Sequence, residues 1–381
     1  MVPELNSSKK KQAILVLEDG TVFSGHGFGA TGKTTGEVVF STGMVGYPES
    51  LTDPSYRGQI LTLTYPLVGN YGVPSATVLE SGLPLYFESD RIQVRGLVIH
   101  ELCTQPFHWA QTRTLDQWLI DEGIPGIYGV DTRRLTKKLR TRGVMLGIIR
   151  VYEVDEKPNV QAIVGESKSI PDPNLTDLVQ EVSVKDPVHY DVQGKNTVAL
   201  IDTGVKNNII RNLLKRRINV IRVPHDFSAK EILEYKPDGA FVSNGPGDPK
   251  KCATTIQCTK ELIEKLPVMG ICLGNQIVML ALGGDTYKMK FGHRSQNQPA
   301  LDLKTNRCYI TTQNHGYAID MKCFGESPLE CWFINANDKT AEGIKHKTKP
   351  VFAVQWHPEA SPGPYDTGFL FDEFSKMMEA A

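Results

Sequence analysis

Val268-Met269-Gly270-Ile271-Cys272-Leu273-Gly274-Asn275-Gln276-Ile277-Val278 places an apolar run, a cysteine between two glycines and a second apolar run within one short stretch. Val268 to Ile271 reads as a buried strand and Leu273 to Leu282 as an apolar helix. Gly270 and Gly274 stand two residues either side of Cys272, which makes this the cysteine version of the G-x-S-x-G turn. Such a turn strains the backbone of its central residue, and flanking glycines let neighbouring chain pass close by. Cys272 then stands at a helix N-terminus, where the dipole favours a thiolate. The Leu273 N–H opens onto the same space and can donate to an oxyanion. A buried structural cysteine in a strand–turn–helix would produce the same pattern, and the motif alone does not choose between the two.

Outward from the elbow the rhythm is strand, helix, strand, helix. Strands are expected at Thr197–Asp202, Asn219–Val223, Gly239–Ser243 and Val268–Ile271, with helices at Lys206–Arg216, Ser228–Glu234 and Thr254–Lys265 between them. Near-continuous apolar strands alternating with helices predict an α/β fold with a mostly parallel sheet covered by helices. Ligands bind beyond the carboxyl ends of such strands. Residues 1–153 read as a separate mixed β/α domain. Its strands are expected at Ala13–Leu17, Thr21–Ser24, Glu37–Ser41, Gln59–Tyr65 and Val94–His100, its helices at Ala110–Glu122 and Asp131–Arg142. Between the two, residues 154–196 are punctuated by Pro158, Pro171, Pro173 and Pro187 and read as a connector, with a short element at Asn174–Val184.

A length of 381 residues suits two domains with substantial cores. Basic residues number 42 against 43 acidic, a formal net charge of −1 that lacks the excess a phosphate-tracking protein carries, so nucleic acid is not expected as a partner. No run approaches the roughly 20 apolar residues of a membrane span. Met1 to Gln12 is a polar tail with three consecutive lysines, and the apolar run after it is too short for a signal peptide. The seven cysteines are odd in number and include no CxxC pair, which argues against a disulfide framework or a zinc site and for a reducing cytoplasm.

A thiol nucleophile needs a base. Val351 to Val354 is an apolar strand, and His357-Pro358-Glu359 lies just past its carboxyl end. Pro358 pushes His357 into extended geometry, where residues i and i+2 point the same way, so Glu359 can orient the His357 ring toward Cys272. The loop Ser243-Asn-Gly-Pro-Gly-Asp-Pro249 follows another strand. Pro246 has no N–H, so Gly245 and Gly247 are its nearby donors; the loop is either a tight turn or the second half of an oxyanion hole. Gly27-Phe-Gly-Ala-Thr-Gly-Lys-Thr34 matches the G-x-x-x-x-G-K-T phosphate loop to the letter. The segment after it, Thr35-Gly-Glu-Val-Val-Phe-Ser41, opposes a helix, so it reads as a glycine-rich turn between strands. Gln313 to Tyr317, on residue types alone, is a polar turn before a strand at Ala318–Asp320.

Cys-Leu-Gly-x-Gln, the Gly-Pro-Gly-Asp-Pro loop and His-Pro-Glu, in this order, resemble the triad (class I) glutamine amidotransferases over residues 197–381. Gly36-Glu-Val-Val-Phe-Ser-Thr-Gly-Met-Val-Gly-Tyr47 through Asp53-Pro-Ser-Tyr56, Leu61-Thr-Leu-Thr-Tyr-Pro66 through Gly72, and Gly129-Val-Asp-Thr-Arg133 narrow the resemblance to the small subunit of carbamoyl phosphate synthetase. The resemblance implies a Cys272–His357–Glu359 triad that hydrolyses glutamine through a γ-glutamyl thioester, with Gly245 and Leu273 as oxyanion donors. It implies glutamine contacts at Ser55, Gly245, Gly247, Leu273, Gln276, Asn314, Gly316 and Tyr317, and a pocket between two domains because Ser55 belongs to the first. It implies no metal or cofactor on this chain, and a large synthetase subunit that receives the ammonia and uses bicarbonate, two ATP and magnesium. The family elbow usually reads Cys-Leu-Gly-His-Gln, and Asn275 replaces that histidine here. Two other readings stand beside this one: a non-catalytic or weakly active regulatory subunit, and another triad amidotransferase.

Overall fold

The computed structural model describes residues 10–325 and 327–380; most of the polar tail expected at Met1–Gln12 lies outside the described residues. The chain divides into two compact units. The first comprises the chain up to Ser41 with Gln59–Ser75 and Val94–Asp172, and the second comprises Thr42–Gly58, Ala76–Gln93 and the chain from Pro173 on. The chain thus leaves the first unit twice and returns.

Seven strands of the first unit close into a barrel: β1 (Gln12–Leu17), β2 (Val22–Gly29), β3 (Gly32–Ser41), β4 (Gln59–Leu63), β5 (Gly96–Val98), β6 (Pro125–Tyr128) and β7 (Met145–Val151). Their order is β1-β7-β3-β4-β5-β6-β2, with β3, β4, β5 and β6 running parallel and the other pairs antiparallel. Ala13 to Leu17 is buried throughout, since its Ile14 and Val16 side pack with Ile148, Tyr152 and Ile163 outside the barrel. The helix expected from Ala110 starts at Leu115, because Gln111–Arg113 is a short strand and the Thr114 hydroxyl caps the helix by accepting from the Gln117 N–H at 3.1 Å. The phosphate-loop look-alike is the turn between β2 and β3, two strands that are not neighbours in the barrel. Its glycines end one strand and begin the next, and no helix follows.

The second unit contains a ten-stranded sheet formed by β8 (Val188–Tyr190), β9 (Asn196–Asp202), β10 (Ile218–Pro224), β11 (Gly239–Val242), β12 (Val268–Ile271), β13 (Thr286–Asp302), β14 (Cys308–Ile319), β15 (Leu329–Asn335), β16 (Ala341–His346) and β17 (Val351–Val354). The order is β8-β10-β9-β11-β12-β17-β16-β15-β13-β14. The five strands from β10 to β17 run parallel, as the apolar pattern predicts, and an antiparallel extension from β16 to β14 continues the sheet beyond them. Gln313 to Tyr317 is part of the long strand β14 and not a turn. Four polar residues around one glycine resemble a loop, yet here they are buried or half-buried, and Gln313, His315 and Tyr317 are hydrogen-bonded in series.

Residues 154–196 are shared out. The helix Val160–Ser167 packs on β1 of the barrel, and Val179 enters the core of the second unit. Asn174–Val184 holds two short 3-10 turns, Pro173–Leu175 and Val179–Glu181. Among the described residues no helix is long and apolar enough to cross a membrane.

Helices cover both faces of the parallel strands. On one side Val242 and Val268 meet Cys258, Leu262 and Ile277. On the other Phe241 packs between two rings of the last helix, Phe369–Ala380, with Phe371 stacked at 6.2 Å and Phe374 edge-on at 5.8 Å. Phe241 is fully buried. Phe241→Ala should therefore lower unfolding free energy by about 3–5 kcal/mol, measured as a drop in urea midpoint. A loss below about 1 kcal/mol would show that this ring cluster does not hold the last helix to the sheet.

Candidate active site

Cys272 sits between β12 and the helix Leu273–Ala281 with φ 54° and ψ −102°, a conformation L-residues rarely adopt. The two glycines of the motif are required by close approach. A Cβ on Gly274 would lie 2.1 Å from the Val242 carbonyl oxygen, and one on Gly270 would lie 2.7 Å from the Gly274 carbonyl oxygen. The backbone is thereby folded tightly under the cysteine, and its N–H donates to the Val354 carbonyl at 2.8 Å. The thiol is buried and points to the Asn314 carbonyl oxygen at 3.7 Å.

His357 follows β17, with its backbone N–H held by the Thr312 carbonyl at 2.9 Å. Its Nδ1 lies 2.6 Å from Glu359 Oε1, and both side chains are buried. The opposite nitrogen, Nε2, makes no well-formed hydrogen bond among the described residues, although the Cys272 side chain is near enough to help hold a proton on the ring. Burial opposes the charged ring, but Glu359 outweighs it and pushes His357 from an ordinary 6.5 up to about 10. Burial likewise opposes the Glu359 carboxylate, but Lys206 and His357 bring it down from 4.5 to about 2.

Lys206 is a site residue that the sequence reading missed. Its Nζ lies 3.1 Å from Glu359 Oε1 and donates to the Ala360 carbonyl at 2.6 Å, and the side chain is 3% exposed. No motif marks it, because it precedes a helix far from the elbow in sequence.

Of the expected glutamine contacts, Asn314 meets the thiol through its carbonyl and Leu273 follows Cys272 at the start of the helix. Gly245 lies in the loop after β11, where a Cβ would sit 1.9 Å from the Thr203 carbonyl oxygen and 2.9 Å from a Leu273 methyl, so both expected oxyanion donors come from touching segments. Gly247 has φ 85° in the same loop. Gln276 Nε2 donates to the Tyr317 carbonyl at 2.8 Å and to Gln355 Oε1 at 3.0 Å. Asn275 Nδ2 also faces Gln355 Oε1, at 3.3 Å, so its amide nitrogen shares that acceptor with Gln276.

Ser55 receives a hydrogen bond at 2.9 Å from Asn244 Nδ2, and Asn314 Nδ2 donates to Asp53 Oδ2 at 3.0 Å. Asp53 also accepts from the Ser55 N–H at 2.9 Å. Asp53 and Asn244 thus join Ser55 to Asn314, which the sequence did not reveal. The sequence reading placed Ser55 within residues 1–153, whereas by contacts its segment groups with the second unit. Thr42–Gly58 is one of the excursions that fold with the second unit, so Ser55 and Asn314 share a unit. A surface cavity of about 560 Å³ lined by Glu80, His189, Tyr190 and Arg217 shares no residue with this constellation.

Residues 15–149 match the family model described as carbamoyl-phosphate synthase small chain, CPSase domain, and residues 199–377 match that described as glutamine amidotransferase class-I. The carbamoyl phosphate synthase small chain of Methanopyrus kandleri is 50% identical over 366 residues, covering 96% of this chain and 99% of that one. The corresponding chain of Pyrococcus furiosus is 50% identical over 377 residues, covering 97% and 98%. That of Methanocaldococcus jannaschii is 48% identical over 369 residues, covering 97% and 99%. At such identity over nearly the full length of its relatives, the chain belongs to the carbamoyl phosphate synthase small chain family and carries a class-I glutamine amidotransferase domain.

Proposed function

We propose that this chain is the glutaminase subunit of a cytoplasmic carbamoyl phosphate synthase, hydrolysing glutamine at Cys272 and passing the ammonia to a separate large subunit. The observation that carries this reading is the buried series Lys206–Glu359–His357 ending beside a strained, buried cysteine. A buried imidazole made strongly basic by a carboxylate is what a thiol nucleophile requires.

In this mechanism the thiol proton passes to His357 Nε2, and Glu359 and Lys206 keep the ring in place. Sγ attacks the side-chain amide carbon of glutamine. The N–H groups of Leu273 and Gly245 stabilise the oxyanion that forms, each worth about 3 kcal/mol. His357 then gives its proton to the amide nitrogen, the C–N bond breaks and ammonia leaves, with the γ-glutamyl group held on Cys272 as a thioester. Water, deprotonated by His357, hydrolyses the thioester and releases glutamate. Ser55, Asn244, Gly247, Gln276, Asn314, Gly316 and Tyr317 surround the amino acid. The full-length similarity to named small chains supports a large-subunit partner, in which ATP, magnesium and bicarbonate are used. No cofactor is needed on this chain.

Cys272→Ser should abolish carbamoyl phosphate synthesis from glutamine by the complex and leave synthesis from added ammonia unchanged. An equal fall in both would place Cys272 outside glutamine hydrolysis. The triad also makes a prediction for pH. His357 gains basicity on folding, so the stability its charge contributes is complete below about 6.5 and lost as pH rises toward about 10. Glu359 runs the other way, its contribution complete above 4.5 and lost as pH falls toward about 2. In urea unfolding, the stability gap between the wild type and His357→Gln should be widest at about pH 5–6 and narrow on both sides. A gap that stays constant with pH would contradict the ion pair.

A further inference from the structure

A second buried imidazole lies outside the triad. His293 on β13 pairs in register with His315 on β14, Arg294 with Asn314 and Ser295 with Gln313. This stretch of ladder is short. Register shifts interrupt it on both sides, between Lys288 and His293 and between Ser295 and Gln298. Backbone pairing therefore holds the strand segment around Asn314 only weakly, and something else must fix its register.

The side chains do so. His293 Nε2 lies 2.8 Å from Asp338 Oδ2, and its Nδ1 lies 3.0 Å from Gln313 Oε1 and 3.4 Å from Glu342 Oε1. Each ring nitrogen faces an acceptor, so the ring uses both of its N–H groups. Gln313 in turn donates from Nε2 to Glu342 Oε2 at 2.7 Å, and Glu342 is fully buried. Burial disfavours the charged ring, but Asp338 and Glu342 outweigh it and push His293 up to about 9. Other charged or titratable groups facing this cluster are His315, whose ring meets that of His293 edge-on at 5.0 Å, Arg294 and Tyr287 on the same strand, the latter near Asp338, and Cys331 on β15 near Glu342.

We propose that His293 is a positioning residue for glutamine hydrolysis: held between Asp338 and Glu342, it fixes Gln313 and through it the strand segment that carries Asn314, Gly316 and Tyr317. This rests on the glutaminase reading above. The next residue, Asn314, offers its carbonyl to the Cys272 thiol and its amide to Asp53, and the Tyr317 carbonyl receives Gln276. A shift of this segment changes how glutamine is held, while the Cys272 backbone stays anchored to Val354 and the His357 ring to Glu359.

Glutamine hydrolysis by the complex of this chain with its large subunit tests the proposal. His293→Ala should raise the KM for glutamine about tenfold, as loss of a buried charge-assisted hydrogen bond implies, and change kcat much less. The rate of Cys272 alkylation by iodoacetamide, which needs no glutamine, should stay within about twofold of the wild type. Gln313→Ala should give the same phenotype, and the double variant should be no worse than the worse single one, because both act through one contact. Asp338→Asn, which leaves the ring in place, serves if His293→Ala does not fold. It removes one of two anions, so the ring loses its proton at lower pH, and the rise in KM with pH should begin at lower pH than in the wild type.

An unchanged KM in His293→Ala, multiplied effects in the double variant, or a loss confined to kcat and alkylation would overturn the proposal. So would a stoichiometric metal found by elemental analysis of the wild type and lost in His293→Ala, since the ligating atoms of His293, His315 and Glu342 all lie within 4.8 Å of one another. A wild-type complex that makes carbamoyl phosphate from ammonia but does not hydrolyse glutamine would overturn the glutaminase reading itself, and this proposal with it.

Discussion

The Glu359 carboxylate is held away from water, and a buried carboxylate is tolerated only where cations and donors replace its hydration. Lys206 and His357 both supply charge to its Oε1, at 3.1 and 2.6 Å. Each of these cations is itself buried and depends on the same carboxylate, so no member of the series is stable alone. The ends of three strands meet here in consequence. Lys206 follows β9, His357 follows β17, and Cys272 follows β12. The parallel sheet sets these strand ends side by side, and the series of charges gives the loops beyond them a reason to converge.

The excursions of the chain out of the barrel serve the same region. Asp53 accepts from both the Ser55 N–H and Asn314, while Glu88 accepts from the Asn208 N–H at 3.0 Å and from the Ser361 hydroxyl at 2.9 Å and pairs with Arg211. Asn208 in turn donates to the Glu359 carbonyl. Two carboxylates from the first half of the sequence therefore reach this region: Asp53 holds Asn314 on β14, and Glu88 ties down the helix Asn207–Lys215 and, through Ser361 and Asn208, the segment that follows His357. A class-I domain of residues 199–377 matches a family model by itself, yet in this chain it is completed by residues well before that span.

What could be read in the sequence was whatever depends on backbone geometry. The elbow is legible because Gly270 and Gly274 are forced by carbonyl oxygens 2.7 and 2.1 Å from where a Cβ would stand. The apolar strands are legible because both of their faces are covered. Lys206 was not legible: a lysine before a helix looks like any surface lysine until Glu359 is placed beside it, and that neighbour is distant in the chain. The grouping of Ser55 with the second unit by contacts was not legible either, because nothing in the residues 42–58 marks a departure from the barrel. Gln313 to Tyr317 was misread as a turn for a related reason. Polar residues signal solvent exposure only when they have no partners, and these find Glu342, Gln276 and Asp53 on other strands, helices and turns.

The triad and the His293 cluster meet at His315. Burial first, then the charges of His293, Arg294 and His357, hold this imidazole well below its ordinary pKa. A neutral ring has one N–H, and His315 faces two carbonyl oxygens, Tyr317 O at 2.8 Å from Nδ1 and Gln313 Oε1 at 3.0 Å from Nε2. Gln313 cannot turn its NH2 toward His315 without withdrawing the oxygen that His293 uses, and the charge-assisted bond is the stronger of the two by roughly a factor of two. The Tyr317 carbonyl already has a donor in Gln276. His315 is therefore the one member that cannot satisfy both neighbours. Moving either imidazolium away would let it take up a second proton, but only by breaking the His357–Glu359 pair or the contacts of His293 to Asp338 and Glu342. Two separated carboxylate–imidazole pairs with a neutral ring between them are the arrangement that keeps each buried cation beside its own anion.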